Sequence, residues 1–111
     1  MDKLNILWTT TNKDTISNMI SMYSVNTLKK GLWDEVNLII WGGSAKLVGE
    51  DKEVQTEVLD MIKGGVSIQA CQACCEKYGV AEDLKKLGID VRFMGEPLTE
   101  IIKKGEKLIT L

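Results

Sequence analysis

The reactive side chains of this chain are concentrated in Cys71-Gln72-Ala73-Cys74-Cys75, which holds all three of its cysteines. No histidine occurs in the 111 residues. Ser-His-Asp and Cys-His pairs and imidazole ligands are therefore absent, and covalent chemistry would have to run through a thiolate. Cys71 and Cys74 form a C-x-x-C, and on a helix positions 71, 74 and 75 share one face, which would bring the three sulfurs near one another. The preceding Val66–Ala70 is apolar and β-leaning. With a strand ending near Ala70 and a helix opening at Gln72, Cys71 becomes an N-cap, where unpaired amides and the positive end of the helix dipole favour an anion. Such a site draws a cysteine pKa from about 8.5 toward neutrality, which makes Cys71 the expected nucleophile. The opposing reading is that cysteine is often a small, inert, buried hydrophobe. That reading is the stronger one for Cys74 and Cys75, although either is a candidate resolving thiol.

A second group of residues lies at Trp41-Gly42-Gly43-Ser44-Ala45-Lys46, where two glycines, a hydroxyl and a lysine mark a strand-to-helix turn. Such a turn can present backbone N–H groups to an anion. It matches neither G-x-x-x-x-G-K-[ST] nor G-x-G-x-x-G, so a nucleotide-phosphate signature is missing. The plainer account is a tight turn with a solvated Lys46; the functional one is a loop that cradles a thiolate, a persulfide or a small anion. Glu50-Asp51 and Glu82-Asp83 read as solvated helical faces. Trp8 and Trp41 close two apolar strands and read as packing residues. Three thiolates fall short of the four ligands of structural zinc, and no second pair exists, so no metal and no cofactor are expected.

The elements that must position these groups alternate regularly. Leu4–Trp8 reads as a strand, followed by Thr9–Asn12 and a helix from about residue 12 to Lys30, with apolar Ile16, Met19, Ile20, Tyr23 and Leu28 near a 3.6-residue period. Val36–Trp41 is a second strand, nearly all apolar toward its end, as expected when both faces are covered. Helical pattern then runs from Ala45 to Ile62, in one piece or two, with an irregularity near Gly49. Val66–Ala70, Ile89–Met94 and Lys107–Leu111 give three more strands. Between them lie a cysteine-bearing helix closed near Gly79, a helix over Ala81–Leu87, and a helix with Pro97 at its first position. Strict βα alternation predicts right-handed crossovers and an α/β fold, a three-layer α/β/α sandwich with a mainly parallel five-stranded sheet. Reactive groups in such sheets gather at the carboxyl ends of the strands. That edge would carry Thr9–Asn12, including Thr10, together with Gly42, Gly43, Ser44, Cys71 and Gly95-Glu96.

The 111 residues make one domain, 1–111. A net charge of −2 with 27% charged and 44% hydrophobic residues offers no basic surplus for nucleic acid and no span for a membrane. The chain enters a strand pattern at once, without a leader-like segment, so a cytoplasmic location is expected. In that compartment a tight cysteine cluster reads as redox or sulfur chemistry rather than a disulfide framework.

Ile6-Leu7-Trp8-Thr9, Leu38-Ile39-Ile40-Trp41-Gly42-Gly43-Ser44-Ala45-Lys46, Gly65–Cys74, Tyr78-Gly79-Val80 and Leu87–Val91 occur in an order that resembles the DsrE/DsrF-like family of small sulfur-relay proteins, which includes the Tus proteins of transfer-RNA thiolation. The resemblance spans essentially the whole chain. It implies a five-stranded, mainly parallel α/β domain assembled as a trimer, a hexamer or a related hetero-oligomer, and for this chain a homotrimer or homohexamer is expected. It also implies a cysteine after the third strand that accepts a persulfide from a donor protein and passes it to an acceptor, and Cys71 matches that position. Cys74 and Cys75 resemble a cysteine-rich subgroup, to which the role does not carry over.

The expected function is thus a small sulfur-carrier or sulfurtransferase-like protein holding sulfane sulfur on Cys71, with Cys74 as resolving or protecting thiol and Cys75 as the weaker candidate. Two other readings stand beside it: an oligomeric binding or scaffold protein with inert cysteines, and a dithiol-disulfide oxidoreductase using Cys71 and Cys74. For the last, Pro97 in a helix-start setting is a poor match to the proline loop of thioredoxin-like proteins.

Overall fold

Alternation along each strand decides which side chains the two faces of a sheet receive, and in this protein the two faces are covered very unequally. The computed structural model describes residues 2–111. Five strands, β1 (Lys3–Trp8), β2 (Glu35–Ile40), β3 (Ser67–Cys71), β4 (Asp90–Arg92) and β5 (Lys107–Thr110), form one sheet in the order β4-β3-β2-β1-β5. All four strand pairs are parallel, so the expected mainly parallel sheet is wholly parallel.

Three connections, β1 to β2, β2 to β3 and β3 to β4, step the same way across the sheet, and right-handed crossovers put their helices on one face. These are α1 (Lys13–Thr15), a π-helical stretch (Ile16–Ser21), α2 (Met22–Lys29), α3 (Gly43–Glu50), α4 (Lys52–Lys63), α5 (Gln72–Tyr78) and α6 (Ala81–Lys86). The step from β4 back past β1 to β5 reverses direction, so α7 (Gly95–Lys103) covers the opposite face alone. The layers are three, as expected, with six α-helices on one side and one on the other.

The core divides accordingly. Ile6, Trp8, Val36, Leu38, Ile40, Ile68 and Ala70 point at the larger helical layer and meet Ile16, Ile20, Val48, Val58, Met61 and Leu84. Burial of each such aliphatic side chain contributes about 1.5–3 kcal/mol, which is why this face carries the stability of the domain. The alternate residues Leu7, Ile39 and Cys71 face α7 and pack with Met94, Leu98, Ile101 and Leu108 in a smaller second cluster. Toward the amino ends of the strands this second face turns polar. Asn37 Nδ2 donates to Asn5 Oδ1 at 3.3 Å and to Gln69 Oε1 at 3.0 Å, which satisfies amides in a place where unpaired ones would be costly.

Local chemistry explains where the elements differ from expectation. Asn12 caps α1 by accepting the Thr15 amide at 2.9 Å, as its side chain favours. The long helix then widens into the π stretch; Ile16, Ile20, Ser24 and Thr27 are buried, and Tyr23 and Leu28 pack half-buried against the same core. The helical segment after β2 is two helices. The break lies at Asp51, whose extended backbone (φ −104°, ψ 116°) and side-chain bond to the Val54 amide at 3.0 Å start α4. Gly49 stays inside α3, where its lack of a side chain lets Val80 approach; an added Cβ would overlap Val80. Pro97 is the third residue of α7, whose helical turn starts at Gly95, and a proline is tolerated there because first-turn amides have no intrahelical acceptor. β4 is three residues, and Met94 caps α7 instead of extending the strand.

Candidate functional site

β3 runs one residue further than its apolar pattern indicates, and that residue is Cys71. As the last residue of the strand it takes the orientation of Ser67 and Gln69, toward the α7 side, and it is 4% exposed in a cluster with Ile39, Met94 and Ile101. Its backbone (φ −65°, ψ 113°) also makes it the N-cap of α5, though its sulfur accepts no well-formed cap hydrogen bond. The Ala73 and Cys74 amides favour the Cys71 thiolate, but desolvation beneath α7 outweighs them, and the neighbouring Cys74 thiol acts in the same direction as burial. The Cys71 thiol is therefore held above its ordinary value. The expectation of a lowered pKa at this cap is corrected, because it weighed the helix end without the helix lying on top of it.

Cys74 and Cys75 occupy the first turn and middle of α5 and diverge. Cys75 is fully buried in the larger core, where burial, reinforced by the two other thiols and Glu76, pushes its pKa up to about 11. Cys74 is half-buried at the sheet rim and touches both apolar clusters. Its Sγ accepts the Gly42 amide at 3.3 Å. The three sulfurs do not share one open face: one lies under α7, one in the main core, and one between them at the edge.

The loop that reaches Cys74 is held by the residues around it. Ser44 is fully buried, and its Oγ donates to the Trp8 carbonyl at 2.6 Å and accepts the Trp41 amide at 3.2 Å. Its hydroxyl thus fastens the end of β2 to the end of β1. Gly42 has φ 73° and ψ −137°, a combination only glycine adopts without strain, and this aims its N–H at the sulfur. Gly43 follows as the first residue of α3, close to Thr11. Thr10 belongs to the neighbouring turn, where its hydroxyl accepts the Asn12 amide at 3.0 Å and its carbonyl accepts Trp8 Nε1 at 3.0 Å. Of the residues singled out from the sequence, Cys71, Cys74 and Gly42 are brought together. Gly43 and Ser44 shape the loop, Thr10 shapes the adjoining turn, and Cys75 faces away. Lys46 is exposed on α3.

No family model matches the chain, and no curated protein matches it. The conserved protein of unknown function BT1422 from Bacteroides thetaiotaomicron is 55% identical, with a TM-score of 0.97 over 99% of this chain and 95% of its own. The chain belongs to the BT1422 family. MTH1491 from Methanobacterium thermoautotrophicum, also a protein of unknown function, has a TM-score of 0.74 at 14% identity, and YchN from E. coli one of 0.68 at 15%, each over the full length of both chains. At these identities the likeness is one of fold.

Sequence reading missed the cover of the site. Met94 and Ile101 share the second buried cluster with Cys71, and half-buried Trp41 and Leu98 pack against that cluster. The signal available was parity: Cys71 is three residues from Ile68 and so opposes it across the sheet. Among the described residues no helix is long and apolar enough to cross a membrane, and no group of three or more Cys, Asp or Glu side chains is arranged to hold a metal ion.

Proposed function

We propose that this chain is a sulfur carrier in which the Cys71 and Cys74 thiols take up sulfane sulfur and hold it as a persulfide on Cys71. The observation that carries the reading is the rim arrangement: a partly buried thiol that accepts a backbone amide, next to a thiol enclosed by apolar side chains. A persulfide is destroyed by water-borne thiols and oxidants, so a carrier benefits from an accessible sulfur and a shielded one. The resemblance to the DsrE/DsrF-like sulfur-relay family supports the same reading, and the shared fold with YchN agrees with it at the level of architecture. On this reading the partners are a sulfur-donor protein and a sulfur-acceptor protein, neither nucleic acid nor membrane is bound, and the working form is a homotrimer or homohexamer in the cytoplasm.

One observation favours a different reading, an oligomeric binding or scaffold protein with inert cysteines: Cys71 and Cys75 are buried and both thiols are held up. Release of sulfur by cyanide separates the two. Protein loaded with inorganic polysulfide and desalted is expected to yield close to one thiocyanate per chain, and the Cys71→Ser/Cys74→Ser variant to yield almost none. An absence of thiocyanate from the wild type, with slow alkylation of the native thiols, would leave the scaffold reading. Loss of both thiols to an internal bond, without sulfur release, would indicate a dithiol-disulfide oxidoreductase.

A further inference from the structure

The sequence motif makes Cys71 the expected point of attack, but three features of the fold separate the thiol that meets a donor from the thiol that keeps the sulfur. Cys71 is 4% exposed and faces the α7 side of the sheet, enclosed with Ile39, Met94 and Ile101. A protein-bound persulfide cannot bring its terminal sulfur in line with the Cys71 sulfur without displacing that cover. Cys74, by contrast, is only partly buried and borders both apolar clusters, so it alone of the three thiols joins the rim to the α7 side. The third feature is the Gly42 N–H on Cys74 Sγ at 3.3 Å, a fixed donor on a backbone conformation that a side chain would strain. A fixed donor on the sulfur holds the Cys74 side chain at the rim and steadies the negative charge that develops on it when its bond to the outer sulfur breaks.

Building on the carrier reading, we infer that Cys74 is the receiving thiol, that Gly42 is its positioning residue, and that Cys71 is the storage thiol reached only through Cys74. In the first step the Cys74 thiol gives up its proton and its sulfur attacks the terminal sulfur of a donor persulfide. A new S–S bond forms at Cys74, the donor's S–S bond breaks, and the donor leaves as a thiol that carries away the Cys74 proton. In the second step Cys71 gives its thiol proton to the Cys74 side and attacks the outer sulfur of the Cys74 persulfide. The Cys74 Sγ–S bond breaks, leaving Cys74 as a thiol and Cys71 as the persulfide. One sulfur moves inward, one proton moves outward, and nothing is oxidised or reduced overall. The direction matches the surroundings, because the sulfur passes from a wetted rim into a site walled by aliphatic and thioether side chains. Release to an acceptor runs back through Cys74.

The test is a short pulse of limiting inorganic polysulfide on the full chain, quenched by alkylation and read by fragment mass spectrometry of the peptide that carries all three cysteines. In the wild type the first added sulfur is expected on Cys74 and later on Cys71. Cys71→Ser should load at the wild-type rate and retain its sulfur on Cys74, while Cys74→Ser should load at least tenfold more slowly although it unfolds at the same temperature as the wild type. Gly42→Ala should slow loading without altering the order. Sulfur on Cys71 first, or wild-type loading by Cys74→Ser, would overturn the assignment and leave the carrier reading intact. No sulfur on any cysteine of the wild type would remove the carrier reading itself, and this inference with it.

Discussion

The backbone amide of Gly42, at the end of β2, donates to the sulfur of Cys74, on the first turn of α5, at 3.3 Å. This contact joins the two segments that the sequence marks out, thirty-two positions apart, and it falls on the second cysteine of the C-x-x-C rather than the first. It rests on a backbone held by Ser44, whose hydroxyl bridges the ends of β1 and β2.

Gly42→Ala should therefore cost about 1–3 kcal/mol in denaturant unfolding, the range for a residue forced into a sparsely populated backbone region. No heavy atom lies within 4 Å of the added Cβ, so the loss is one of backbone conformation and not of crowding. A larger loss, or none, would show that the loop is not held in this conformation.

Met94→Ala should open the cover over Cys71. The cost in stability is about 2–5 kcal/mol, as for other methionine truncations in a core, since Met94 is 1% exposed. The diagnostic readout is local: iodoacetamide should modify Cys71 faster in the variant, with the rate at Cys74 little changed. Equal acceleration at both thiols would point to general loosening instead of an opened lid.

Alkaline pH should weaken the fold through the buried thiols. The Cys75 thiol has an ordinary value of 9.0 and is raised to about 11 in the folded chain. Between those values the unfolded chain has lost the proton and the folded chain keeps it, so the stability present below about pH 9 is lost as pH rises toward 11. Cys71, also held up by burial, adds to the same slope. Unfolding free energies at a series of pH values should show this decline in the wild type and a shallower one in Cys75→Ala.

Gly49→Ala should destabilise by about 1–3 kcal/mol through overpacking, against the gain of about 1 kcal/mol that alanine normally brings to a helix interior. The reason is the contact with Val80, which an added Cβ would overlap. Val80→Ala should relieve it, so a double-mutant cycle is expected to give a favourable coupling between the two substitutions.

Much of this architecture was legible in the residues. Apolar runs of five or six residues separated by helical periods dictate parallel strands with crossover helices, and Gly42-Gly43-Ser44 and Cys71 fall at strand ends for the same reason. Three things were not legible. Parity with Ile68 turns Cys71 toward α7 only if β3 runs to residue 71, and an apolar run does not fix the end of a strand to a single residue. The raised Cys71 thiol depends on α7, which reaches that side of the sheet only because the β4-to-β5 step reverses direction. The split at Asp51 replaced an irregularity expected at Gly49, because a capping carboxylate ends one helix and begins another more strongly than a glycine interrupts either. Each is a tertiary or single-residue effect that periodicity averages away.

Persulfide storage on Cys71 and Cys74 is tested by the intact mass of reduced protein after brief exposure to inorganic polysulfide, for the wild type, Cys75→Ser and Cys71→Ser/Cys74→Ser. A gain of about 32 Da per added sulfur is expected in the wild type and in Cys75→Ser, reversed by a reducing thiol, with no gain in the double variant. An unchanged wild-type mass, or an equal gain when both Cys71 and Cys74 are absent, would contradict it.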